Sequence, residues 1–197
     1  MTTDHDPVRR AMMTALAVAP LSAFGETSNA GGEMRRTGSH MLVAYFSRSG
    51  NTRVIAGLIH RSLGTDLFEI RPASAYPDDY LATVEQARQE RDSGYEPALA
   101  ASVSDMERYD TLFLGFPIWG GTAPPIIRAF LSAHDLAGKT LIPFVTHGGY
   151  GLGDSQSVLA SHAPEARLRQ GFVMEADQER RTMNRVNDWL EGVEIKQ

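Results

Sequence analysis

From Met41 onward, short apolar runs alternate with stretches whose apolar residues recur every three or four positions. The run MLVAYF, residues 41–46, has the length of a strand buried on both faces. After Thr52, residues Val54, Ile55, Leu58, Ile59 and Leu63 follow helical spacing, and Gly64 supplies the stop. DLFEI, residues 66–70, alternates like a half-buried strand and ends at Pro72. Tyr80, Leu81, Val84, Ala87 and Arg88 then mark a polar-faced helix broken at Gly94, and TLFLGF, residues 111–116, is a buried strand stopped by Pro117.

The theme repeats. Ala123-Pro124-Pro125 opens a helix through Ile126, Ile127, Phe130 and Leu131, because proline is tolerated in a first turn. KTLIPFVT, residues 139–146, reads as a strand, although Pro143 removes a ladder donor from its middle. A glycine-rich loop follows, then a helix near Ser155–Ser161, a strand within RLRQGFVM (167–174), and a closing helix from about Asp177 to Leu190. Strands alternating with helices imply right-handed crossovers and an α/β fold. The expectation is a doubly wound, five-stranded parallel sheet in the order 2-1-3-4-5, with helices on both faces and no second domain.

Residues 1–40 do not share this pattern. Arg9-Arg10 precede the uncharged apolar AMMTALAVAPLSAF, and a loose polar stretch follows. Arginines, a short apolar region and then small residues have the layout of an export signal, here similar to a twin-arginine signal. Val8 stands where such signals favour Ser or Thr. Cleavage would fall after Ala23 or Ala30, and the protein would be periplasmic or otherwise exported. The alternative is an unstructured extension with translation starting at Met34 or Met41, and a cytoplasmic protein. On either reading the folded domain is 41–197.

The chain of 197 residues carries a net charge of -5, from 24 acids against 19 bases. Residues 1–40 are neutral, so 20 acids against 15 bases remain in the domain. That balance argues against nucleic-acid binding. No apolar run reaches the roughly 20 residues that span a bilayer. With no cysteine, redox chemistry would need a bound cofactor. Asp78, Asp79, Asp105, Glu107 and Asp110 lack metal-ligand spacing, and His5, His40, His60, His134 and His162 are scattered. No nucleophilic serine elbow is present. Neither a catalytic side chain nor a metal site is expected.

Three unusual loops all follow strands, and in an open parallel sheet ligands sit outside the carboxyl ends of the strands, at the switch in strand order. The first is SRSGNT, in which Ser47, Arg48, Ser49, Gly50, Asn51 and Thr52 lead into a helix. Backbone N–H groups at a helix start attract an anion, and hydroxyls and an amide there can add bonds. The same residue types cap helices, so a simple polar turn is the alternative. The second loop is PIWGGTAPP, with Pro117, Ile118, Trp119, Gly120 and Gly121; the third is HGGYGLGD, His147 to Asp154. The first loop is neither a Walker A loop nor a dinucleotide fingerprint.

Taken together, YFSRSGNTR, GFPIWGGTAPPIIRAFL and KTLIPFVTHGGYGLGDS resemble the flavodoxin family, over about Met41 to Leu190. Flavodoxins bind FMN and carry electrons through it, so the resemblance implies FMN here, with its phosphate on the first loop and Arg48 and Arg53 adding positive field. It implies Trp119 against the isoalloxazine ring, with Pro117, Ile118, Gly120 and Gly121 around it. It further implies that His147, Gly148, Gly149, Tyr150, Gly153 and Asp154 meet the pyrimidine edge, Tyr150 as the opposite stacking partner. His147 is either a proton donor or an ordinary loop residue. Apolar stacking and nearby acids would set the potential. The expected function is a carrier shuttling one or two electrons between redox partner proteins. The alternative is an FMN-dependent NAD(P)H:quinone-type oxidoreductase using a small quinone-like acceptor, its cleft lined by YPDDYLATVEQARQER and DSGYEPALAA.

Overall fold

The computed structural model describes residues 40–175, 186 and 188–193. Among the described residues six strands build one sheet: β1 (Met41–Tyr45), β2 (Asp66–Glu69), β3 (Thr111–Pro117), β4 (Thr140–His147), β5 (Arg167–Leu168) and β6 (Phe172–Glu175). Four helices connect them: α1 (Asn51–Leu63), α2 (Tyr80–Ser93), α3 (Pro125–Ser132) and α4 (Ser155–His162). These strands pair in parallel, and the order β2-β1-β3-β4-β5 is the one expected, with β6 also pairing β4. Residues 186 and 188–191 are helical, whereas the start of the expected closing helix lies outside the described residues, as does the expected export signal. Among the described residues no helix is long and apolar enough to cross a membrane.

Alternation along the strands divides the core into two layers. Leu42, Ala44, Leu112, Leu114, Phe116, Leu141 and Val145 face α3 and α4, which contribute Ile126, Ile127, Phe130, Val158 and Leu159. Val43, Tyr45, Phe113, Ile142 and Phe144 pack on the other side against Ile55, Ala56 and Ile59 of α1 and against Val186 and Trp189. Burial on both faces explains why the central strands read as continuous apolar runs.

The expected last strand is two strands, and Pro143 accounts for the break. Lys139 and Leu141 accept from Arg167 and Arg169 N–H on the β5 side. Backbone groups two residues apart point the same way, so the missing N–H of Pro143 falls on that side too. Leu141 pairs with Leu168 and Phe144 with Phe172, so three steps along β4 face four on its neighbour. That extra residue is a bulge. Gly171 fills it: a Cβ there would lie 2.1 Å from the Pro143 carbonyl oxygen.

Candidate functional site

The carboxyl ends of β1, β3 and β4 open into a cavity of about 500 Å³. From the first loop, Arg48, Ser49 and Asn51 line it; from the second, Pro117, Ile118, Trp119, Gly120 and Thr122; from β4 and the third loop, Thr146, His147 and Gly148. The three loops therefore meet, as the strand order requires.

The first loop enters α1 without a side-chain cap. Gly50 is the N-cap residue at φ 97°, it offers no side chain to cap the helix, and no acid occupies the first turn. The capping role open to these hydroxyls is not the one they play. Ser47 Oγ accepts the Gly50 N–H at 3.1 Å, closing the loop on itself outside the cavity lining. Thr52 is buried, its hydroxyl 2.9 Å from that of Thr146, which ties α1 to β4. The first-turn amides, having no acceptor within the helix, remain for a ligand. Arg48 lines the cavity, donates to the Asp78 carbonyl at 2.8 Å, and lies over the Tyr80 ring. Arg53 instead pairs with Glu69, which Arg71 also bonds, so its charge is spent at the end of β2. Burial pushes the Glu69 carboxyl up, but the bonds and charges of the two arginines outweigh it and hold the group below the ordinary glutamate range.

Trp119 is held from behind by two rings. Phe46 meets it edge-on at 5.2 Å between centroids and Tyr76 at 5.0 Å. Tyr76 donates to the buried Glu90 of α2 at 2.8 Å, and Gln86 donates to the other oxygen of the same carboxyl. Burial and that carboxylate push the Tyr76 phenol well above its usual range. Beyond Trp119 the chain reverses in a two-residue turn, Gly120 and Gly121 at φ 58° and 79°, with Trp119 and Thr122 exchanging both backbone bonds. Two successive positive φ values are the reason for two glycines. The Thr122 hydroxyl is buried without a partner among the described residues.

The third loop reaches the cavity only at its start. His147 Nδ1 accepts the Gly149 N–H at 3.0 Å, which leaves Nε2 as the nitrogen able to carry a proton. Gly121, Gly153 and Asp154 join loop to loop instead of lining the cavity: Asp154 N–H donates to the Gly121 carbonyl at 3.0 Å. Gly149 is likewise outside the lining, and Tyr150 is 89% exposed beyond it.

The remaining wall comes from α2, through Tyr80, Thr83, Val84, Ala87, Arg88 and Arg91. The expected cleft-lining helix is thus in place, but the DSGYEPALAA segment after it is not in the lining. The sequence signal is a stripe at helical spacing that is too apolar for a solvated face and too charged for a core. Among the described residues no Asp or Glu lines the cavity, whereas Arg48, Arg88 and Arg91 do, the last two paired with Glu85 and Asp92.

A family model for flavodoxin matches residues 40–193. A crystal structure of a protein assigned as a flavoprotein from Bacteroides eggerthii DSM 20697 is 32% identical, with a TM-score of 0.68, covering 79% of this chain and 98% of that one. Its counterpart from Bacteroides uniformis ATCC 8492 is also 32% identical, with a TM-score of 0.69, covering 78% and 99%. A flavoprotein from Lactobacillus acidophilus NCFM, crystallised in complex with FMN, shares the fold at 21% identity and a TM-score of 0.62, covering 76% and 97%. No curated protein matches the sequence. A parallel sheet in this order, loops converging at its switch point, and a family match across nearly all of the described residues lead to one assignment: the chain belongs to the flavodoxin family.

Proposed function

We propose that the protein binds FMN in this cavity and works as an electron-transfer flavoprotein. The observation that carries the reading is the α1 start: uncapped, free of acid in its first turn, and opening on a cavity that runs past Trp119 to His147. A phosphate dianion is stabilised by unpaired N–H groups and the helix dipole. Ser49 and Asn51 would hold it, with Arg48 supplying charge. Trp119, Pro117 and Ile118 would meet the ring, and Gly120, Thr122, His147 and Gly148 would meet its polar edge, where the Thr122 hydroxyl has no protein partner. When bound, FMN supplies one- and two-electron chemistry. The side chains of this chain hold the cofactor, exclude water and set the local field; Nε2 of His147 is placed to carry a proton at the cavity wall.

A carrier delivers electrons to a protein, whereas an oxidoreductase admits a small acceptor beside the ring. The α2 wall favours the second, because Tyr80, Val84 and Ala87 present an apolar face to the cavity where a small molecule would lie. The tests are the visible spectrum of the purified protein and NAD(P)H oxidation with a quinone. Turnover supports the oxidoreductase; no turnover, together with reduction by a flavoprotein reductase, supports the carrier. Absence of bound or bindable flavin refutes both.

A further inference from the structure

The cavity has arginines at two ends, and FMN has one phosphate. Helix α2 forms one wall, with Tyr80 beside Arg48 and Arg91 beside Gly120, whose carbonyl oxygen is 3.4 Å from Arg91 Nη1. Arg91 lies eleven positions after Tyr80, about 16 Å along a helix. The first end holds the α1 amides and Arg48. The second holds Arg88 and Arg91, both in the lining.

These two arginines are oriented by acids on the outer side of α2. Arg88 bonds Glu85 at 2.7 Å and Asp92 at 3.3 Å, and Arg91 bonds Asp92 at 2.8 Å. Such half-exposed pairs hold a guanidinium weakly, so it can turn to a better-placed anion. Neither acid lines the cavity, and between the two cationic ends the α2 wall presents Val84 and Ala87, which the flavin ring proposed against Trp119 leaves facing it. An apolar slot ending in planar, always-charged groups matches a flat ring with an anionic substituent.

Resting on FMN occupancy as proposed above, we infer that the Arg88–Arg91 end of the cavity is a second subsite, for a small planar aromatic molecule bearing a carboxylate or sulfonate.

The test is equilibrium binding to the flavin-loaded protein, read by calorimetry and by the flavin difference spectrum, with no turnover involved. The probes are naphthalene-2-sulfonate and the uncharged naphthalene-2-methanol. The sulfonate should bind about tenfold tighter, from a charge-assisted bond to a guanidinium. Arg88→Gln and Arg91→Gln should each remove most of that preference and leave the uncharged probe unchanged; Arg88→Lys should retain part of it. Added salt should weaken the sulfonate alone. Equal binding of the two probes, absence of binding by either, or equal losses for both in the Gln variants would overturn the inference, the last because it reports packing by the arginine stems. Flavin uptake, titrated separately, keeps the two proposals apart. Wild-type protein that takes up no flavin refutes the FMN reading and this inference with it. A flavin-loaded protein blind to the sulfonate refutes the subsite alone.

Discussion

Replacing Gly153 with alanine would place a Cβ 1.7 Å from the Gly121 carbonyl oxygen, an atom of backbone that cannot swing aside. Gly153 also stands at φ 54°, which costs a non-glycine residue about 1 kcal/mol. Relief of the clash strains the two loops by about 1 kcal/mol or more. Separation also breaks the Asp154–Gly121 bond, about another 1 kcal/mol. The total is about 3 kcal/mol, which lowers a urea midpoint by about 1.5 M at a slope near 2 kcal/mol per molar. Gly151→Ala is the control, since φ there is 69° but nothing lies within 4 Å of the new Cβ. It pays the backbone cost alone and should lose about 1 kcal/mol. Because the third loop docks on the second through this contact, Gly153→Ala should also weaken flavin uptake more than Gly151→Ala does. Equal midpoints for the two variants, or wild-type flavin affinity in Gly153→Ala, would refute the argument that the loops are latched backbone to backbone.

Four further outcomes are expected. Gly115→Ala puts a Cβ 2.1 Å from ring atoms of the buried Phe144, and overpacking of this kind should cost about 2 kcal/mol in urea unfolding without altering the cavity lining. Trp119→Ala should weaken FMN binding about tenfold or more while Trp119→Phe keeps most of it, read by flavin fluorescence; equal affinities would remove the residue from the site. The folded-state pKa of Glu69 is lowered, so its contribution to stability is present above the ordinary glutamate range and lost as pH falls through the lowered value. Urea midpoints of Glu69→Gln should accordingly fall less steeply on acidification than those of wild type. If residues 1–40 direct export, the periplasmic protein should begin after Ala23 or Ala30, and Arg9→Lys with Arg10→Lys should leave it in the cytoplasm; an unprocessed cytoplasmic wild type would reject the signal.

Strand and helix positions were legible because each central strand is buried on both faces and because α1 and α3 each turn one apolar stripe to the sheet. Gly64 and Gly94 end their helices in the left-handed conformation, as their places after the last periodic residues imply. Pro143 was visible as an anomaly, but the broken strand it causes depends on a neighbour 25 or more residues away, which local pattern does not encode. In the site, residues at strand ends were legible because strand order carries them to one edge. Loop interiors were not. Thr52, Gly153 and Asp154 look like ligand contacts by residue type, yet the structure uses them to join α1 to β4 and loop to loop. Tyr150 is exposed outside the cavity lining, whereas Tyr80, on a helix read mainly as polar-faced, lines it.

The central claim is that the uncapped start of α1 holds the phosphate of a flavin, and parallel titrations of the flavin-free protein with FMN and with riboflavin test it most directly. The two ligands share the ring and differ in the phosphate. Saturable one-to-one uptake of FMN, with riboflavin weaker by about a hundredfold, is the predicted result, worth about 2.7 kcal/mol from the amides, Ser49, Asn51 and Arg48. Equal affinity for the two, or uptake of neither, would contradict it.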